Sequence, residues 1–494
     1  RWRRWPGPMP ARPAPEPRRP MPSDHRPAAA PGADEAAAGR TPLDPSRPRR
    51  VHVVGAGGAG MSAIASVLSA MGHVVTGSDL KSSPTLERLA AGGVRVVVGH
   101  DAANVADAEV VAVSTAVPEG NPEVREARRR GLVVLSRARA LAGIAACRRC
   151  VAVSGTHGKT TTTSMLALIL IEAGLRPSFL IGGDVNEIGT NAVWDTGEWI
   201  VVEADESDGT FLELDPEIAV VTNIEPDHLD YYGDFDHVVE AFDRFLTAGA
   251  GAVVGADDPV AARLGADHGA DLVGSSPGAT YRIEDLETGD GVSFALRARG
   301  EMLGRVALPV TGANIARNAA VAVAASLRVG ASFGAAQRAL ARFAGVARRF
   351  ESRGEVNGVR FVDDYAHLPT EVAAVIEAAR DTAPRRLVVV FQPHRYSRIA
   401  ALGTQFADSF TGADVVVVTD VFPAGETPRP GVTGRIVADA VRRAHPALDV
   451  TYVPGREELR SHVANLLTPG DLCLTLGAGD LTALPDELQV ATPW

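Results

Sequence analysis

The stretch VAVSGTHGKTTTTS, residues 151–164, constrains what this chain can fold into more than any other. Val151, Ala152 and Val153 read as the end of a buried strand, and MLALILIEAG beyond the threonines has helical spacing. Between them lie Gly155, Thr156, His157 and Gly158, so strand, glycine loop and helix follow in the order that builds an anion cradle. Backbone N–H groups of such a loop and the positive end of the helix dipole face one space, and a polyphosphate there needs few side chains to hold it. Lys159 adds a point charge, Thr160 a hydroxyl suited to Mg2+, and Thr161 continues the run. Two residues separate the glycines, not the four of the general phosphate loop, so only the shorter GxxGKT form fits. An ordinary strand-to-helix turn accounts for the glycines. It does not account for a lysine followed by four threonines in a chain whose only other lysine is Lys81.

A second glycine loop lies upstream. RRVHVVGAGGAGMSAIASVLSAMGHVVTGSD reads as strand, turn, helix, strand, with Gly55, Gly57 and Gly60 matching GxGxxG and Asp79 at the end of the second strand. Taken alone this is a dinucleotide fingerprint whose default ligand is NAD, with Asp79 on a ribose hydroxyl; close packing of helix on strand is the bland alternative. Further strands at VRVVVG and EVVAVST complete a first α/β unit that closes near residue 145.

The second unit continues from the phosphate loop. EWIVVEADESD delivers Glu203, Asp205, Glu206 and Asp208 at a strand's C-terminal end, where open parallel sheets bind ligands, and the next strand ends in Asn223, Glu225, Asp227 and His228. Carboxylates beside a phosphate loop are what Mg2+ on ATP requires. A helix cap followed by an incidental imidazole is the plain reading of Asp227-His228, but two adjacent strand ends rich in acids and His favour a metal. Residues 280–310 look like short antiparallel strands, and TGANIARNAAVAVAASLRVG like a helix carrying Asn314 and Asn318 on one face, as surface caps or as readers of a base edge. The third unit, after ARRFESRGE, reads as another open parallel sheet. Asp364 and His367 follow its first strand, and His394, Arg395 and Arg398 its second. Cations in a first helical turn oppose the dipole, so an anionic ligand is expected at Arg395 and Arg398.

The expected fold class is therefore α/β in three domains: Rossmann-like at residues 49–146, a phosphate-loop mononucleotide-binding domain at 147–345, and Rossmann-like again at 346–494. Residues 1–48 are Pro, Ala and Arg with almost no aliphatic periodicity, and read as a disordered tail. The first residue is not Met; Met9 and Met21 are candidate starts. Residues 1–50 hold 11 Arg against 5 acids, a net +6, which leaves −17 for the remainder. An acidic body argues against a nucleic-acid partner. The absence of an 18-residue apolar run argues against membrane insertion, and three cysteines are too few for a disulfide framework, so a cytoplasmic protein with reduced thiols is expected.

GTHGKTTTT, EADESDGTF, VTNIEPDHLDYYG, ARRFE, DDYAHLPTEV and FQPHRYSR, in that order over about residues 50–490, resemble the Mur ligases of peptidoglycan synthesis. GAGGAGMSAIA together with FQPHRYSR is most similar to the branch of that family that joins L-alanine to UDP-N-acetylmuramate. The resemblance implies an ATP- and Mg2+-dependent enzyme, a monomer or weak homodimer, whose three domains take the UDP-sugar, ATP and the amino acid in turn. Gly55, Gly57, Gly58, Gly60, Met61 and Asp79 would then hold the UDP-sugar rather than NAD. Gly155 to Thr161, with Lys159 on the β- and γ-phosphates, would hold ATP together with Asn314, Asn318 and Asp364. Thr160 and Glu203 would bind one Mg2+ and His228 a second; His367, His394, Arg395 and Arg398 would surround the amino acid; and Lys159, His228, Arg395 and Arg398 would serve the chemistry. Ala313 and Leu368 stand where the family pattern usually has histidine. Some relatives bridge a second Mg2+ with a carbamylated lysine. With two lysines, neither expected beside His228, this chain is expected to work without one and to be indifferent to dissolved CO2.

Overall fold

The structure is a computed structural model that describes residues 43–185 and 188–491. Three sheets follow one another along the chain. The first is parallel, in the order β3-β2-β1-β4-β5, from β1 (Arg50–Val54), β2 (Val74–Asp79), β3 (Arg95–Val98), β4 (Val110–Val113) and β5 (Val133–Ser136). This is one half of a dinucleotide-type fold, as expected, with its glycine turn at the C-terminal end of β1.

The second sheet has ten strands, β6 (Arg149–Ser154), β7 (Ser178–Val185), β8 (Thr190–Val193), β9 (Trp199–Glu203), β10 (Ile218–Val221), β11 (Gly251–Gly255), β12 (Asp271–Gly274), β13 (Tyr281–Thr288), β14 (Val292–Ala298) and β15 (Glu301–Leu308), in the order β15-β14-β13-β12-β11-β10-β6-β9-β7-β8. The antiparallel strands expected at 280–310 are present, but they are not a separate patch: β13 pairs parallel with β12 and extends the nucleotide sheet. The third sheet, β16 (Glu351–Val356), β17 (Val359–Asp364), β18 (Arg386–Phe391), β19 (Val415–Val418), β20 (Asp449–Tyr452) and β21 (Asp471–Leu476), runs β16-β17-β21-β18-β19-β20. It is parallel apart from β16, which adds antiparallel to the edge at β17.

The apolar pattern explains how these layers pack. Thr160 to Leu170 of the helix Lys159–Glu172 are all buried, so this helix lacks a polar face and lies between the second sheet and the Ala-rich helix Ala313–Val329. The opposite face of that sheet shares one continuous core with the first domain, running from Met61, Leu68 and Leu141 to Ala204, Phe242 and Leu264.

Residues 1–42 of the expected tail lie outside the described residues, and its expected end at 48 is too late. Leu43 is fully buried in the first core, and its carbonyl accepts a hydrogen bond from His73 Nε2 at 3.1 Å. Arg49 N donates to the other ring nitrogen of His73 at 3.0 Å, so the chain is packed from Leu43 onward. Leu43→Ala should destabilise the protein by about 2–5 kcal/mol, the usual cost of emptying a fully buried leucine site. Urea unfolding measures this directly, and an unchanged midpoint would contradict the docking of this segment.

Candidate active site

The phosphate loop leaves β6 through Gly155 and enters its helix through Gly158, and at both points only glycine fits. Gly155 has φ +132° and a Cβ there would lie 2.0 Å from Thr222 Oγ1; Gly158 has φ +80° and its Cβ would lie 2.4 Å from Asn318 Oδ1. Thr156 Oγ1 accepts from Glu225 N at 2.8 Å and His157 N donates to Asn223 Oδ1 at 2.8 Å, which ties the loop to the end of β10.

The cations and acids of the site meet just inside this loop. Lys159 Nζ donates to Gly155 O at 2.7 Å and to Glu206 Oε1 at 2.8 Å. Burial works against the ammonium, but Glu206 and Asp205 outweigh it and hold its pKa above the usual lysine value. Burial lifts Glu206 to about 7 despite Lys159, and its Oε2 has no hydrogen-bond partner among the described residues. Thr160 Oγ1 donates to Glu203 Oε1 at 3.0 Å, and Gly182 N holds the other Glu203 oxygen at 2.7 Å. These hard oxygens beside a phosphate cradle suit Mg2+, which keeps several waters and needs few protein ligands. Among the described residues no group of three or more His, Cys, Asp and Glu forms a ready-made metal cage.

Two cavities flank the loop. One, of about 400 Å³, is lined by Gly158, Thr161, Asn314, Asn318, Asp364 and the wall of β11–β12. Burial raises the Asp364 carboxyl to about 6, and its two oxygens accept from Phe350 N and Ala366 N, each at 2.7 Å. The other, of about 670 Å³, lies where the three domains meet and gathers Gly60, Lys159, Thr160, Glu203, His228, His367, His394, Arg395 and Arg398. Gly55, Gly57, Gly58, Met61 and Asp79 do not line either cavity. Asp79 Oδ2 accepts from Gly57 N at 2.8 Å and so braces the glycine turn, while the Met61 side chain belongs to the first core and has only its backbone to offer a ligand.

The geometry corrects two expectations. The anion expected opposite Arg398 is a carboxylate of the protein itself: Asp227 accepts from Arg398 Nε at 3.2 Å and from Nη2 at 3.0 Å, across the second and third domains. Arg398 Nη1 turns to His394 Nδ1 at 3.0 Å, so the guanidinium is largely spent on protein partners. Lys159 is also closer to His228 than expected, because Glu206 Oε1, 2.8 Å from Lys159 Nζ, is 3.8 Å from His228 Nε2. Burial lowers the pKa of the three histidines in this central cavity, His228, His367 to about 4 and His394 to about 3, so they are neutral acceptors or donors near pH 7. His367 Nδ1 is hydrogen-bonded to Tyr365 O at 2.9 Å, which fixes the proton there and leaves Nε2 as the acceptor.

Sequence reasoning missed the clasp between the loop and the third domain. His157 Nδ1 lies 3.1 Å from Glu371 Oε1 and Nε2 3.3 Å from Glu225 Oε2, while Thr370 Oγ1 donates to Glu225 at 2.6 Å. Glu371 also accepts from His367 N at 2.9 Å and Leu368 N at 3.2 Å, capping the helix Pro369–Asp381, while the Leu368 side chain is buried. Burial opposes the charge on His157, but Glu371 and Glu225 outweigh it and raise its pKa from 6.5 to about 9. A raised pKa means that the stabilisation is complete below the unfolded value and is lost as pH climbs through the folded one. The stability advantage of wild type over His157→Asn should thus be about 3 kcal/mol near pH 6 and fade by about pH 10. Thermal midpoints of both proteins across that range check this; a pH-independent difference would count against an ionised clasp. Arg137, whose role no local motif signals, was missed as well. Its Nη2 reaches Asp205 Oδ2 and Asp208 Oδ2 at 3.0 Å each.

The chain matches the Mur ligase family, catalytic domain, over residues 50–149, the Mur ligase middle domain over 153–326, and the Mur ligase, glutamate ligase domain over 348–479. It is 48% identical over 448 residues to a UDP-N-acetylmuramate–L-alanine ligase of Rubrobacter xylanophilus, an alignment that covers 89% of this chain and 99% of that one. Among solved structures it is similar to the UDP-N-acetylmuramate–alanine ligase of Thermotoga maritima, with TM-score 0.75 and 27% identity over 89% of this chain and 98% of that one. It is also similar to a murein peptide ligase of Psychrobacter arcticus, with TM-score 0.65 and 25% identity over 90% and 98%.

Proposed function

The chain belongs to the Mur ligase family, and from that premise we infer that it joins L-alanine to UDP-N-acetylmuramate at the expense of ATP in peptidoglycan precursor synthesis. The observation that carries this reading is the central cavity, where the phosphate-loop lysine, the acids of β9 and the His394–Arg398 cluster of the third domain face one space.

A carboxylate is a poor electrophile, and ATP corrects this. The lactyl carboxylate oxygen attacks the γ-phosphorus, the bond to the β-phosphate oxygen breaks, and ADP leaves an acyl phosphate. The amine of alanine, having lost its proton, adds to the acyl carbon; the tetrahedral intermediate collapses and expels inorganic phosphate. Negative charge accumulates on the transferred phosphoryl group, so preorganised cations and backbone N–H groups carry most of the catalysis. In this reading Lys159 and the Gly155–Gly158 loop hold the β- and γ-phosphates, and Asn314, Asn318 and Asp364 hold the nucleoside end in the adjacent cavity. Thr160 and Glu203 would hold one Mg2+ and His228 a second, and when bound these ions would neutralise charge on the phosphate oxygens. Arg395 and His367 take the carboxylate and amine of the amino acid, while Arg398, engaged by Asp227, positions His394. Gly55, Gly57, Gly58 and Gly60, braced by Asp79, receive the pyrophosphate of the UDP-sugar, to which Met61 offers only its backbone.

No described helix is long and apolar enough to cross a membrane. The proposed setting is the cytoplasm, with the enzyme a monomer or weak homodimer. The test is ADP release with UDP-N-acetylmuramate and a panel of amino acids: release that depends on L-alanine supports the reading. Release that depends on a different amino acid, or on a peptide, would change the substrate.

A further inference from the structure

Resting on the ligase reading, we propose that Arg137 grips an anionic group of the sugar nucleotide where the first and second domains meet. Arg137 opens the helix Arg137–Ala145 directly after β5 and lines the central cavity with Gly60, Lys159, Glu203 and His228. The plain reading is an interdomain tie, since Nη2 donates to Asp205 and Asp208 at 3.0 Å each. Two observations take it further. Every hydrogen bond that Arg137 makes to described residues leaves from Nη2, the longest being 3.4 Å to Thr210 Oγ1, so Nε and Nη1 keep donors for another partner. Arg137 also reaches the first domain, with Cδ and Nη1 each 3.5 Å from where a Cβ on Gly60 would be, in the first turn of the helix that follows the glycine loop.

Arg137 therefore stands between the two anion-binding loops of the molecule. A substrate whose pyrophosphate lies at the first loop and whose carboxylate must reach the phosphoryl group at the second has to pass it. A guanidinium matches either group, because its fork presents parallel N–H donors to two oxygens of a phosphate or carboxylate. At the first turn of a helix it is also opposed by the dipole, a cost that a bound anion offsets. Arg137 is thus a substrate-binding residue that senses the sugar nucleotide through Nε and Nη1 while Nη2 stays tied to Asp205 and Asp208.

Calorimetric titration of full-length wild type, Arg137→Lys and Arg137→Ala with UDP-N-acetylmuramate, UDP-N-acetylglucosamine and UDP tests this, alongside KM values for each substrate. Loss of a charge-assisted contact should weaken UDP-N-acetylmuramate by at least about tenfold in Arg137→Ala, with partial recovery in Arg137→Lys and little change in the KM for ATP. Parallel weakening of UDP assigns the contact to the pyrophosphate; weakening confined to UDP-N-acetylmuramate assigns it to the carboxylate. Should Arg137→Ala not fold, Arg137→Gln retains most of the stem and is read the same way. Full retention of sugar-nucleotide affinity by the variants, with only the KM for ATP or the thermal midpoint altered, would overturn this assignment alone. A wild-type protein that binds no UDP-N-acetylmuramate would overturn the ligase reading with it.

Discussion

Lys159→Ala is expected to lower amino-acid-dependent phosphate release by about a thousandfold or more, the upper end of what one preorganised charge-stabilising group contributes, while the protein stays folded. The ammonium is mostly buried at the mouth of its helix and contacts the Gly155 carbonyl at 2.7 Å, in the space where phosphate oxygens bind in such loops. Its removal leaves Glu206 buried without its cation, and an unpaired buried carboxylate would be costly. Burial already raises Glu206 to about 7, however, so it takes up a proton instead and the stability loss stays near the roughly 1–3 kcal/mol of one unsatisfied buried group. A coupled ADP-release assay and a thermal melt measure the two effects separately. An undiminished rate would remove the loop from the mechanism.

The second large effect belongs to the Asp227–Arg398 pair. Both side chains are less than a tenth exposed and they join the second domain to the third, so Arg398→Ala should cost about 3–5 kcal/mol by leaving Asp227 charged and unpartnered. Asp227→Ala should cost a similar amount, and the double variant clearly less than the sum, since neither charge then remains stranded. Activity should fall in all three because His394, which shares a hydrogen bond with Arg398 at 3.0 Å, loses its orientation. Urea unfolding of the four proteins closes the cycle. Additive losses would mean that the two groups do not depend on each other.

What was legible in the sequence and what was not divide along physical lines. The two glycine loops, the strand-end acids and the helix with Asn314 and Asn318 could be read because each is a local pattern whose chemistry is carried by residues a few positions apart. The partner of Arg398 could not, because Asp227 lies 171 positions away and nothing near either residue announces the pairing. His157 was seen as a loop residue, but Glu371, on a helix of another domain, is what makes it a cation. β16 escaped because ESRGEV alternates too many polar residues to read as a strand, and an edge strand half open to solvent needs no apolar face of its own. Leu43 is a single apolar side chain in a proline-rich stretch, where no periodicity exists to mark it as core. Fold class and site chemistry are thus local information here, whereas the closure of the domains on one another is not.

The most direct test of the ligase account uses UDP-N-acetylmuramate labelled with 18O in the lactyl carboxylate. In the presence of ATP and L-alanine, one labelled oxygen should pass to the released phosphate and the other remain in the new amide, with UDP-N-acetylmuramoyl-L-alanine as the product seen by mass spectrometry. Phosphate free of the label alongside ATP turnover would show that the carboxylate is never phosphorylated, and would contradict the account at its centre.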